Sequence, residues 1–190
     1  MPKSIGLGLG PEFQGMMGLG FGTPQVSPIT LAIALADNST NLQPTFIKSI
    51  FAQNKTTPNV VSILLSRTDD LEATANSSFT IGEYLAGYEQ VQTQPHLPLF
   101  IPENGLARWS VIMEGYSVNG KLGPLHSASP NVTNGTAIAV IDTGATLVQV
   151  PAEVSSTIYS PISDAFFSET LGQWVVPCTA EPSNVTFHFG

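Results

Sequence analysis

The sequence predicts an all-β fold with a few short helices. Charged residues make up 11% of the 190 residues and hydrophobic residues 42%, and the chain contains 17 Gly and 15 Pro. This composition is typical of a folded, turn-rich domain. Runs rich in Val and Ile lie between turn residues, as at 138–141 and 147–150, and such runs are typical of buried strands. The pair Asn119-Gly120, between two further apolar runs, is a strong signal for a β-hairpin turn.

The first segment with a clear pattern is Gly-rich and centres on 16–22, Met-Met-Gly-Leu-Gly-Phe-Gly. A phosphate-binding loop would require Gly-Lys-Ser/Thr to follow, and none does. We therefore predict a short buried strand that ends in close-packed turns.

Two short helices are predicted next. Residues 27–37 begin with Ser27 as a helix cap and Pro28 at the first helical position. Residues 44–53 place four large apolar side chains on one helical face: Phe46, Ile47, Ile50 and Phe51. That face is expected to point into the core and to carry no chemistry.

The remaining elements are mainly strands. They are predicted at 60–66, from Phe79 to Gly82, on both sides of a bend within 109–120, and at 184–190. After Pro151, apolar residues at helical spacing predict a third helix, which Pro161 is expected to kink or split: Val154, Ile158 and Ile162.

The charge balance excludes some classes of partner. The net charge is −8 and the chain has only six Lys plus Arg, so no cationic stripe can bind nucleic acid or an anionic membrane. No apolar run approaches the roughly 18 residues needed for a membrane span. Because the chain has few cationic side chains, repulsion between positive charges stays limited once the carboxylates are protonated. The composition is therefore compatible with acidic conditions.

Glycosylation sequons are more frequent than chance predicts. Six of the ten Asn residues begin Asn-x-Ser/Thr, where the Ser and Thr content predicts about two. The candidates are Asn38, Asn54, Asn76, Asn131, Asn134 and Asn184. We therefore expect a protein made in the secretory pathway, secreted or vacuolar. Residues 1–10 do not form a signal peptide, so the chain is expected to lack its natural N-terminus.

The candidate site lies at Asp142-Thr143-Gly144, between the runs 138–141 and 147–150. An acidic residue between two buried strands is costly unless it is hydrogen-bonded or has a task. Thr143 and Gly144 suit a tight turn that would hold the carboxylate against backbone N–H groups. The alternative is an ordinary turn with an exposed Asp. His96, in a Pro-rich loop without a Ser or Cys motif, is expected to be solvated.

Residues 137–151 resemble an active-site loop of the pepsin-like aspartic proteases. The sequence around 16–22 resembles the segment that closes the family's N-terminal lobe. The strand beginning at Trp109 and the segment Trp174–Cys178 resemble others in its C-terminal lobe. Glu83 replaces a Gly of the family pattern, a small departure.

The resemblance implies a pepsin-like lobe with barrel-like closed sheets, in which residues 1–26 end the N-terminal lobe and 27–190 form most of the C-terminal lobe. It also implies that Asp142 is the second of two catalytic carboxylates and that the loop beside it contacts a peptide or protein substrate: Thr143, Gly144, Ala145 and Thr146. Cys178 would form a disulfide with a partner outside this chain. No cofactor or metal is implied.

The family's chemistry needs two Asp residues, and this sequence has a single Asp-Thr-Gly. We therefore expect an incomplete aspartic endopeptidase that is inactive without the lobe that carries the first Asp. One alternative is a homodimer in which each chain supplies Asp142. The other is a secreted glycoprotein that binds peptides or proteins without catalysis.

Overall fold

A computed structural model describes residues 16–22, 27–66, 77–103, 108–127, 129, 131–145 and 147–190. It divides into two compact units, Met1–Tyr88 and Glu89–Gly190. The described residues form nine short strands and three short α-helices, which confirms the all-β class. The strands belong to four small sheets, and within the described ranges none of these closes into a barrel. The predicted domain boundary after residue 26 stays a prediction.

The first unit contains two helices and one hairpin-like strand pair. Helix α1 spans Pro28–Ala36, and the Ser27 side chain accepts a hydrogen bond from the backbone N–H of Thr30. Helix α2 spans Phe46–Gln53 and buries Ile47. Strands β1 (Val61–Leu64) and β2 (Ser78–Ile81) pair antiparallel. Both predicted helices are confirmed, because their start signals and spacing are local properties of the sequence.

The second unit begins with a 3₁₀ helix at Glu89–Thr93. Seven strands follow, with helix α3 (Ala152–Tyr159) between the fourth and the fifth of them. The strands are β3 (Ser110–Met113), β4 (Gly115–Val118), β5 (Lys121–Leu122), β6 (Ala137–Val140), β7 (Phe166–Ser168), β8 (Gln173–Val175) and β9 (Val185–His188). Strand β3 pairs with β6, β4 lies between β5 and β9, and β7 pairs with β8. All of these pairs are antiparallel.

The core of the second unit lies between β4 and α3. Its buried members are Met113, Tyr116, Val118, Leu125 and Val154. Partly buried side chains pack around them, among them Val150, Ile158 and Phe187. Helix α3 ends at Tyr159, two residues before Pro161, so Pro161 ends the predicted helix rather than kinking or splitting it, and Ile162 lies outside it.

Two sequence-based predictions are wrong. The described residues 16–22 form no strand, and Met16 and Met17 are 69% and 50% exposed. Gly at every second position of this segment leaves side chains on one face only, which weakens a strand. Residues 147–150 form no strand either, although their composition favours one. A strand needs a hydrogen-bonded neighbour, and the described residues provide none for this run.

Candidate active site

The carboxylate of Asp142 is held by the turn that follows it. The backbone N–H of Gly144 donates to Asp142 Oδ1 over 2.8 Å, and the N–H of Ala145 donates to the Asp142 carbonyl oxygen over 3.3 Å. A Cβ at position 144 would lie 3.1 Å from Oδ1, so a side chain there would press on the carboxylate. The predicted tight turn, with its carboxylate bound by a backbone N–H, is therefore present.

The two ends of this loop are fixed by different elements. Upstream, β6 pairs with β3, and the N–H of Ile141 donates to the Trp109 carbonyl oxygen over 2.8 Å, one residue beyond the pairing Ser110↔Val140. Downstream, Val150 packs against the core and Pro151 precedes helix α3. The loop from 142 to 149 therefore spans from a strand end to a helix start.

The loop itself is open to solvent. Residues 142–145 are exposed, and Ile141, Leu147 and Val148 are 57%, 67% and 78% exposed. The sequence predicts a carboxylate between two buried strands. Instead, the described structure has a half-buried strand on one side and an exposed apolar segment on the other. Three exposed aliphatic residues therefore flank Asp142 in the sequence, and they are called the apolar rim below: Ile141, Leu147 and Val148.

Beyond Gly144 and Ala145, the other predicted residues add no contact to Asp142 within the described residues. Thr143 has no hydrogen bond to a described residue, and Thr146 and Asn76 lie outside the described residues. The remaining sequon asparagines are all exposed: Asn38, Asn54, Asn131, Asn134 and Asn184. Cys178 is an exposed free thiol, and its disulfide stays a prediction.

The histidines at 96 and 188 have no place in this loop. His96 is exposed, as predicted. His188 lies on β9, where its Nε2 is 3.2 Å from Ser117 Oγ of the neighbouring strand. His188 therefore has a structural partner within the sheet.

Sequence reasoning missed a contact between His126 and Glu153. Glu153 Oε1 accepts from the His126 backbone N–H over 2.9 Å, and Oε2 lies 2.7 Å from the ring Nδ1. These two hydrogen bonds and the charge of His126 lower the pKa of Glu153. Glu153 could have been noticed as an acidic residue in the first turn of a predicted helix. His126 lies 27 residues earlier and carries no local signal.

No group of three or more His, Cys, Asp or Glu residues in the described ranges is arranged to hold a metal ion. None of the helices in the described part of the chain is long and apolar enough to cross a membrane.

Comparisons with known proteins point to one family. The sequence model of the family described as eukaryotic aspartyl protease matches residues 7–190. An aspartic protease from Phaffia rhodozyma is 31% identical over 124 residues, which cover 62% of this chain and 27% of that protein. A probable aspartic-type endopeptidase from Arthroderma benhamiae is 28% identical over 92 residues, or 48% of this chain and 22% of that protein. The matched part therefore spans about a quarter of the length of these curated relatives.

Proposed function

The chain belongs to the eukaryotic aspartyl protease family, and we propose that it is part of an aspartic-type endopeptidase in which Asp142 is one of the two catalytic carboxylates. The observation that carries the proposal is the Asp142 turn. There, an Asp-Thr-Gly within the matched residues 7–190 presents an exposed carboxylate, and a backbone N–H binds one of its oxygens.

The chemistry requires a pair of carboxylates. One of the two is ionised and activates a water molecule, while the other is protonated and polarises the scissile carbonyl group. Because the two lie close together they share one proton and titrate as a unit. The Gly144 N–H occupies Oδ1 of Asp142, and no donor in the described chain binds its other oxygen. That oxygen is available for water or for the second carboxylate.

The second carboxylate is proposed to come from protein outside these 190 residues. The sequence has a single Asp-Thr-Gly, and the other described aspartates have different surroundings. Asp37 caps the end of α1, and Asp164 lies in a turn after α3 with a φ of 62°. The two Asp residues at 69 and 70 lie outside the described residues.

The apolar rim supports the same proposal. Large aliphatic side chains grouped on a surface usually mark a place that another molecule covers. Here exposed aliphatic residues flank Asp142 in the sequence on both sides, at 141 and at 147–148. A lobe with the first Asp, or a peptide substrate with apolar side chains, would cover such a rim. We therefore propose cleavage of peptide bonds flanked by apolar residues.

A secretory or vacuolar location is proposed on the basis of the sequons. All five sequon asparagines in the described residues are exposed, as a glycan attachment site must be. The low proportion of cationic side chains is compatible with function at acidic pH.

The test is activity of the full-length natural protein on an apolar peptide at pH 3–5, compared with Asp142→Asn. Asn retains an oxygen for the Gly144 N–H, so the turn should persist while turnover falls about 10²–10⁴-fold. Asp164→Asn is the matched control, because it removes an exposed carboxylate elsewhere in the same unit. Full activity of Asp142→Asn would overturn the proposal.

The 190-residue chain assayed alone separates the alternatives. We expect no turnover, because one carboxylate cannot form the dyad. Turnover that rises with the square of chain concentration and is lost in Asp142→Asn would instead identify a homodimeric protease. Tight binding of an apolar peptide by the full-length protein without cleavage would identify a binding protein.

A further inference from the structure

The contact between His126 and Glu153 joins two segments that are distant in sequence. Glu153 lies in the first turn of α3, and His126 follows the strand pair β4–β5. Both carboxylate oxygens are used, one by the backbone N–H of His126 and one by its ring. A side chain bound at two points is held in one orientation, unlike most exposed ion pairs.

The two residues of the contact are each next to a core residue in the chain. Leu125 and Val154 are the chain neighbours of His126 and Glu153, and both are buried in the same cluster, at 6% and 0% exposure. Pro151, at the helix cap, makes no side-chain capping hydrogen bond. Glu153 is the acidic residue in the first turn of α3, where the helix dipole favours a negative charge.

The position of this contact relates it to the Asp142 loop. Val150 and Pro151 end that loop and lead into α3, and the first turn of α3 begins with the N–H groups of Val154 and Ser155 donating to the Pro151 carbonyl oxygen. Whatever fixes this first turn also fixes the downstream end of the loop. The β3–β6 pairing fixes only the upstream end.

We propose that His126 and Glu153 form a clasp that positions the downstream end of the Asp142 loop and that loosens when Glu153 gains a proton. The link to catalysis rests on the proposed function, whereas the clasp itself does not.

The pH dependence follows from the chemistry of Glu153. Glu153 has a lowered pKa in the folded chain, so its stabilising effect is complete above the ordinary Glu pKa and is lost as pH falls through the lowered value. A hydrogen bond to an ionised acceptor is stronger than one to a neutral acceptor, so protonation of Glu153 weakens the clasp.

Among the described residues, no other titratable side chain binds this pair. Glu153 is the titratable group that α3 directs at His126. On the strands that precede the segment, the titratable side chains are Tyr116 of β4 and Lys121 of β5. Within the described residues neither makes a hydrogen bond or ion pair with His126 or Glu153.

The test compares the thermal stability of the 190-residue chain with that of Glu153→Gln from pH 3 to pH 8. We expect the variant to lose about 1–3 °C in Tm near pH 6, with a smaller loss at pH 3, where Glu153 gains a proton. Glu181→Gln, which removes an exposed carboxylate with no partner in the described chain, is the matched control and should show no such pH dependence. A difference that is flat with pH, or equal to that of the control, would overturn the clasp.

Two further measurements test the clasp: the stability of a His126 variant and amide hydrogen exchange at the start of α3. If Glu153→Gln fails to fold, the exposed ring is removed instead by His126→Ala, which should lower Tm near pH 6 more than at pH 3, while His96→Ala leaves Tm unchanged. Amide hydrogen exchange should then show lower protection of Val154 and Ser155 in the clasp variant at pH 5. Unchanged protection would exclude a positioning role.

Activity is measured separately, on the full-length protein. Glu153→Gln should lower kcat more at pH 5 than at pH 3, because the contact that it removes weakens in the native protein as pH falls. If the protein has no peptidase activity, the stability and exchange results still show whether the clasp exists. If the clasp is absent, the peptidase proposal is unaffected.

Discussion

Gly123 lies directly against the ring of Tyr116, and its N–H donates to the Tyr116 carbonyl oxygen over 3.0 Å. A Cβ at position 123 would overlap the ring atoms Cζ, Oη and Cε2. Tyr116 is completely buried among core side chains, so its ring has no free space into which to move. The segment that leads to His126 therefore approaches β4 as closely as a glycine allows.

Gly123→Ala should lower the free energy of unfolding of the second unit by about 1–3 kcal/mol, because the core must shift to admit a methyl group. Urea denaturation followed by Trp fluorescence measures this, since Trp109 and Trp174 both belong to that unit. Gly115→Ala is the control, because a Cβ there meets only His188 Cδ2 at an ordinary 4.0 Å. Equal midpoints for the two variants would contradict the packing described.

Tyr116→Phe should leave stability unchanged or raise it by about 1 kcal/mol. The Tyr116 Oη is buried without a hydrogen-bond partner in the described structure. An unsatisfied buried hydroxyl costs about 1–3 kcal/mol, which Phe avoids at nearly the same shape. The same denaturation experiment applies, and a clear loss of stability would mean that the hydroxyl is hydrogen-bonded.

Gly82→Ala should be more destabilising than Gly87→Ala. Both glycines have a left-handed φ, 85° and 86°, so alanine costs about 1–2 kcal/mol at either position. A Cβ at 82 would also overlap Thr57 Cγ2, whereas the space beside Gly87 is open. Thermal denaturation followed by circular dichroism should place the Tm of Gly82→Ala below that of Gly87→Ala.

A second substitution checks the cause of that difference. Thr57→Ser removes the Cγ2 methyl group and should recover part of the stability lost in Gly82→Ala while having little effect on Gly87→Ala. No recovery would mean that Thr57 is not the obstacle.

Glycosylation should be detectable when the chain is secreted from a eukaryotic host. We expect a mass loss on enzymatic deglycosylation, reduced by Asn54→Gln and unchanged by Asn41→Gln, an exposed Asn outside any sequon. Asn131 and Asn134 lie so close that we expect one glycan for the two. The Asn131 side-chain amide also donates to Glu103 Oε1 over 2.8 Å. An unchanged mass after deglycosylation would refute the expectation.

Local signals in the sequence predicted the elements that local interactions form. Ser27 and Pro28 predicted the start of α1, and Asn119-Gly120 predicted the turn between β4 and β5, where both residues have positive φ. The Asp142 turn was equally predictable, because a carboxylate two residues before a glycine can bind its N–H.

What the sequence could not predict depends on contacts between distant segments. The run 147–150 has the composition of a strand, but a strand exists only where a neighbour binds it. The clasp was missed for the same reason, since His126 and Glu153 meet only because Leu125 and Val154 share a core. Nothing in the residues around position 126 reveals that packing.

The apolar rim has a consequence for handling the chain. At pH 7 a net charge of −8 keeps molecules apart, but the isoelectric point is about 4.6. Near that pH the repulsion disappears while the rim and the exposed aliphatic side chains of α1, such as Leu35 at 82% exposure, remain uncovered. The colloidal solubility of the isolated chain should therefore reach its minimum inside the acidic range in which an aspartic peptidase is assayed. Light scattering must accompany every such assay, so that precipitation is not scored as inactivity.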